Sequence, residues 1–147
     1  DIVCIIANHP QLKQFADWHG IPFHWVDFKN QSKEKAFAEV ENLFQTYQAD
    51  LTVLARFMQI IPEHLCKKLA GKAINIHHSF LPSFAGAKPY LQAYNRGVKL
   101  IGATCHYVTS DLDEGPIIEQ EVMRISHSDT SEDMVRKGKN CEKIALA

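Results

Sequence analysis

The chain has 147 residues, 46% of them hydrophobic, with 16 basic against 17 acidic side chains. That balance predicts one compact soluble domain, large enough to build a core without disulfide or metal staples. A formal charge of -1 leaves no positive excess for a polyphosphate, which argues against nucleic acid or an anionic membrane and for a small-molecule ligand.

The longest apolar run, Ile2 to Ala7, is far short of the ~20 residues a bilayer-spanning helix needs. No charged start followed by a small-residue cleavage site marks a secretory leader, so a cytoplasmic protein is expected. Cys4, Cys66, Cys105 and Cys141 lie far apart with no Cys-x-x-Cys pair and read as ordinary buried thiols. The chain opens without Met in a strand-like run and closes on a helical pattern with no stop signal, which predicts truncation at both ends.

Taken in chain order, the spacing predicts a buried strand over residues 1–7, then a helix over 11–19 stopped by Gly20. A second strand is expected over 22–26. From Ser32 to Gln48 the apolar residues Phe37, Val40, Phe44 and Tyr47 recur at three or four, which lines one helix face. A strand over 51–54, a short helix over 62–69 closed by Gly71 and a strand over 73–77 follow. A Ser/Pro/Gly-rich loop runs from Ser79 to Pro89, and a helix over 90–96 ends at Gly97. Residues 100–108 and 117–125 read as two strands able to pair as a hairpin. Thr130 with Asp133 resembles a capping box, opening a helix whose inner face carries Met134, Cys141 and Ala145.

Strands alternating with helices predict an α/β fold: an open, mostly parallel, Rossmann-like sheet with helices on both faces and an antiparallel pair near the C-terminal half. In such sheets ligands sit at the carboxyl ends of the strands. Three loops lie there. After the strand at 73–77, the period of two puts Asn75 and His77 on one face and Ile74, Ile76 and His78 on the other. An amide beside an imidazole is a workable device for polarising a carbonyl and handling its proton, although satisfied polar residues at a strand end have the same spacing. Asp111, Asp113 and Glu114 supply carboxylates, and one brought near His77 would raise its basicity, whereas most such runs are solvated turns. The segment Ala55 to Pro62, with Phe57, Met58, Ile60 and Ile61, reads as core or as an apolar slot for a flat heterocycle. Adjacent His77 and His78 diverge and have no further ligand at metal spacing, so no metal is expected. Ser79 lacks the turn that exposes a hydrolase serine and is expected to cap a helix. No glycine-rich phosphate loop or dinucleotide fingerprint occurs.

The runs Asn75-Ile-His-His-Ser-Phe-Leu-Pro82, Phe84-Ala-Gly-Ala-Lys-Pro-Tyr90, Gly97-Val-Lys-Leu-Ile-Gly-Ala-Thr-Cys-His-Tyr-Val108 and Leu112-Asp-Glu-Gly-Pro-Ile-Ile118 closely resemble the formyltetrahydrofolate deformylases, within the formyltransferase-like superfamily. The superfamily's Asn-x-His pair and distant Asp before Gly-Pro map onto Asn75, His77 and Asp113. A second histidine, here His78, resembles the deformylases, whereas glycinamide ribonucleotide formyltransferases usually carry proline there.

The resemblance implies hydrolysis of 10-formyltetrahydrofolate to formate and tetrahydrofolate, supplying formate for purine biosynthesis and balancing one-carbon pools. Asn75, His77 and Asp113 would be catalytic. Phe57, Met58, Ile60, Ile61 and Leu112 would hold the pterin, with His78 and His106 in support. No metal or cofactor is implied, and a homo-oligomer is compatible with it. The alternatives are transfer of the formyl group to an amine such as glycinamide ribonucleotide, or folate binding without catalysis. The family's catalytic domain normally has a further strand, loop and helix before the position of Asp1, continues beyond that of Ala147 and follows an ACT-type domain. That comparison places a missing strand between the first strand and the strand at Leu51.

Overall fold

The computed structural model describes residues 1–83 and 88–147, so part of the loop expected over 79–89, and part of the second family-like run, lie outside the described residues. The described residues form two compact units, 1–50 and 51–147.

In the first unit, β1 (Ile5–Ala7) pairs in parallel with β2 (Phe23–Trp25), joined through a 3-10 turn and α1 (Lys13–Trp18). The strand expected over 1–7 is shorter because β2 offers only Phe23, His24 and Trp25 as partners. In α2 (Lys33–Tyr47) the first turn is capped by Ser32, whose hydroxyl accepts the Lys35 N–H. Ala36 and Val40 of that helix bury against Val26. Cys4 is half-buried, unlike the other three thiols, which are buried as expected.

The second unit is built on a four-stranded sheet in the order β3 (Thr52–Ala55), β4 (Ala73–His77), β5 (Leu100–Tyr107), β6 (Ile117–Arg124). The β3–β4 pair is parallel and the other two pairs are antiparallel, so antiparallel pairing begins one strand earlier than the hairpin read from sequence. Around it lie α3 (Glu63–Lys68), α4 (Pro89–Arg96) and α5 (Ser131–Leu146). The Thr130–Asp133 capping box is complete, and its reciprocal bonds satisfy two otherwise orphaned donors at the start of α5.

Alternation along β4 and β5 decides which side chains become core. Ile76, Ala103 and Cys105 form one buried cluster with Cys141 and Ala145 of α5. Ile101 joins Tyr90 and Ala93 of α4 and Met134 of α5 in another. The intervening positions, Asn75 and His77 on β4 and Thr104 and His106 on β5, are thereby turned to the opposite face, and the register sets Asn75 across from His106 and His77 across from Thr104. Among the described residues no helix is long and apolar enough to cross a membrane.

Candidate active site

The β4–β5 register brings Asn75 and His106 together from positions far apart in sequence. The Asn75 amide nitrogen lies 3.2 Å from His106 Nε2. On the other edge of that ring, Nδ1 is 2.9 Å from the Tyr107 carbonyl oxygen. A carbonyl only accepts, so Nδ1 donates to Tyr107, and the ring's Nε2 edge is left facing the Asn75 amide. His106 is 3% exposed; backbone and core therefore fix which end of the Asn75 amide faces it.

Asp113 arrives from the β5–β6 loop with φ 57, a left-handed conformation that aspartate tolerates better than most side chains. Gly115 permits the approach, because a Cβ there would collide with the Tyr107 carbonyl. Asp113 Oδ2 stands 3.4 Å from His77 Nδ1, and Oδ1 stands 3.5 Å from the Asn75 amide nitrogen and 3.6 Å from His106 Nε2. These separations are long for hydrogen bonds, yet close enough for the carboxylate to act electrostatically on all three groups.

Burial pushes the His77 imidazole below its ordinary range; Asp113 pulls it partly back and His106 pushes it down further. His78 is lowered by burial first and then by His77. Both rings are held in the neutral form at neutral pH. The Nε2 atom of His77 is buried without a hydrogen-bond partner among the described residues, so the edge His77 presents to Asp113 is Nδ1.

A cavity of about 160 Å³ opens beside this cluster. The loop after β3 supplies Phe57, Met58, Ile60 and Ile61, the end of β4 supplies Asn75, His77 and His78, and the β5–β6 loop supplies Leu112 and Asp113. His106 lines it as well. A cavity that combines apolar walls with convergent polar groups suits a small organic ligand. The residues that the family resemblance singled out all border this one cavity, as does Asp111, whereas Glu114 and Ser79 do not line it. His78 also lies edge-on to Tyr90, with ring centroids 6.0 Å apart. No group of three or more His, Cys, Asp or Glu side chains is arranged to hold a metal ion among the described residues.

Ser79 caps no helix among the described residues, contrary to expectation. Its hydroxyl is buried without a partner among the described residues, and α4 begins only at Pro89 with Lys88 as its N-cap. Sequence reasoning also missed Thr104, which ties down the chain after β4, and Glu142, which grips Arg56. A hydroxyl flanked by apolar residues within a strand was the available signal for Thr104. A lone acid on α5 carries none.

A sheet with a parallel β3–β4 pair, helices packed around it and a polar cluster beside a cavity at its strand ends places the chain in the α/β class. The chain belongs to the formyl transferase family, whose model matches residues 1–147. It is 48% identical to the formyltetrahydrofolate deformylase of Corynebacterium sp. (strain P-1) over 100% of this chain and 51% of that protein. With the deformylase of Synechocystis sp. (strain ATCC 27184 / PCC 6803 / Kazusa) the identity is 49%, over 100% of this chain and 51% of the relative. The chain thus spans about half the length of the curated relatives it matches. Among solved structures it resembles a formyltetrahydrofolate deformylase from Pseudomonas syringae pv. tomato str. DC3000, with a TM-score of 0.94 and 60% identity over 99% of this chain and 49% of that one. It also resembles a phosphoribosylglycinamide formyltransferase from Anaplasma phagocytophilum, with a TM-score of 0.89 and 36% identity over 98% of this chain and 70% of that one.

Proposed function

We propose that this protein hydrolyses 10-formyltetrahydrofolate to formate and tetrahydrofolate. The observation that carries the reading is the placement of Asp113 within reach of both His77 and Asn75 beside a cavity lined by Phe57, Met58, Ile60 and Ile61. The deformylase names of its relatives support the choice of substrate.

In this reading the slot lined by Phe57, Met58, Ile60, Ile61 and Leu112 takes the pterin, and the formyl group reaches Asn75, His77 and Asp113. A water molecule held by Asp113 adds to the formyl carbon. The bond from water oxygen to carbon forms, and the developing oxyanion takes hydrogen bonds from the Asn75 amide and His77. The carbon–nitrogen bond then breaks, one water proton ends on the departing nitrogen by way of Asp113 and His77, and formic acid ionises to formate. His106 holds the Asn75 amide, and His78 supports His77 from the neighbouring side. The reaction as proposed needs neither metal nor cofactor. A cytoplasmic enzyme of this kind would feed formate to purine biosynthesis and balance one-carbon pools.

A formyltransferase reading is favoured by the likeness to a phosphoribosylglycinamide formyltransferase. Formate released from 10-formyltetrahydrofolate with no amine present is the expected result. Strict dependence on an amine such as glycinamide ribonucleotide would establish transfer instead, and tight folate binding without turnover would establish a binding protein.

A further inference from the structure

Arg56 opens the loop that walls the cavity, and it does so with φ 53. A left-handed backbone is costly for a residue with a long side chain and persists where the surroundings hold it. The guanidinium is gripped by Glu142 of α5, with Nε donating to Oε2 at 3.0 Å and Nη2 donating to Oε1 at 2.6 Å. Such a two-point pair fixes direction as well as distance.

The grip has a third member. The Tyr90 hydroxyl of α4 donates to the same Glu142 Oε1 at 3.0 Å. The buried Tyr90 ring lies against Gly138 of α5, where a Cβ would collide with it, and edge-on to His78. The Glu142 side chain is 12% exposed and that of Arg56 is 47% exposed. The carboxylate is thus the anchored centre, and the arginine brings the loop to it.

We infer that Glu142 is a positioning residue for the cavity: by holding Arg56 while itself held by Tyr90, it sets the Phe57–Ile61 wall in place before ligand enters. A wall ordered in advance strengthens binding by sparing the ligand the cost of ordering it. Loss of the grip therefore weakens substrate binding more than it slows the chemical step. The identity of that substrate rests on the folate reading above, whereas the ordering of the wall does not.

The test uses Glu142→Gln, which keeps size and removes charge, together with Arg56→Gln and the double variant. Amide hydrogen exchange is expected to quicken at residues 57–61 in each variant while β5 stays protected. For 10-formyltetrahydrofolate, KM should rise roughly tenfold in either single variant with kcat changed less than about twofold, and the double variant should resemble the singles rather than multiply them. Unchanged exchange at 57–61 overturns the inference. So does a fall in kcat at constant KM, or additive effects in the double variant. If the unaltered protein releases no formate, the hydrolase reading fails by itself, and the exchange measurement still decides whether Glu142 orders the wall.

Discussion

Asp113 Oδ2 stands 3.4 Å from His77 Nδ1 while its Oδ1 stands 3.5 Å from the Asn75 amide nitrogen. One loop carboxylate therefore addresses both polar groups that β4 turns toward the cavity. Its charge favours protonation of His77, against a burial that disfavours it. The imidazole is thus neutral at rest and can be protonated transiently, as proton traffic to a leaving nitrogen requires.

Replacing Asp113 with Asn should separate charge from shape, because Asn accepts the left-handed backbone found at φ 57 as readily as Asp. Turnover in formate release should fall at least about a hundredfold while folate affinity, measured by calorimetry, stays within about threefold. A variant that binds poorly but turns over normally at saturation would make Asp113 a binding residue.

His77→Ala should be comparably damaging, since in the proposed reaction it removes a proton carrier and an oxyanion donor together. Folding can be checked by circular dichroism. Near-normal formate release in a folded variant would move the role to His78, whose ring centroid is 5.3 Å from that of His77.

Burial lowers both His77 and His78 below the ordinary imidazole value, which is about 6.5. The unfolded chain therefore binds protons from about pH 6.5 downward, where the folded protein still resists them. Stability should be complete above that pH and should decline as pH falls below it, until the lowered folded values are passed. Urea unfolding at about pH 5.5, 6.5 and 7.5 reads this slope, and His78→Gln should flatten it. A protein that gained stability on acidification through this window would contradict the assigned direction.

Much of this architecture was legible because hydrophobic spacing switches between periods of two and of three to four, and because Gly97 and the Thr130–Asp133 pair announce helix ends. The shared face of Asn75 and His77 followed from strand alternation alone. What alternation cannot supply is register. The pairing of Asn75 with His106 depends on how β5 slides along β4, and a register shift between Cys105 and His106 sits opposite β6 at the same place. The Arg56–Glu142 pair spans 86 positions, and a surface-type acid on α5 has no local pattern that names its partner.

Thr104 shows how much one such unread residue holds. Its buried hydroxyl donates to the Ser79 carbonyl at 2.9 Å and accepts from the Leu81 N–H at 3.1 Å and the Gln120 amide at 3.0 Å. That fills a hydroxyl's capacity. Thr104→Val keeps the shape and strands the Ser79 carbonyl and the Leu81 N–H, while the Gln120 amide keeps its bond to the Leu81 carbonyl, so stability should drop on the order of 3 kcal/mol by urea unfolding. Thr104→Ser should recover most of it. A loss below about 1 kcal/mol would mean that the stranded groups find other partners.

Gly138 provides a case where helix propensity gives the wrong sign. In a helix interior, glycine to alanine normally stabilises by about 1 kcal/mol. Here a Cβ would enter the space occupied by the Tyr90 ring, including its hydroxyl end. Gly138→Ala should therefore destabilise, by about 1–3 kcal/mol as is typical of overpacking, and it should disturb the Tyr90–Glu142 hydrogen bond as well. Measuring the same substitution in a Tyr90→Ala background isolates the cause. With the ring removed, alanine at 138 should become neutral or stabilising. If it stays equally damaging there, the obstacle is not Tyr90, and the close approach of α4 to α5 must be maintained by other contacts.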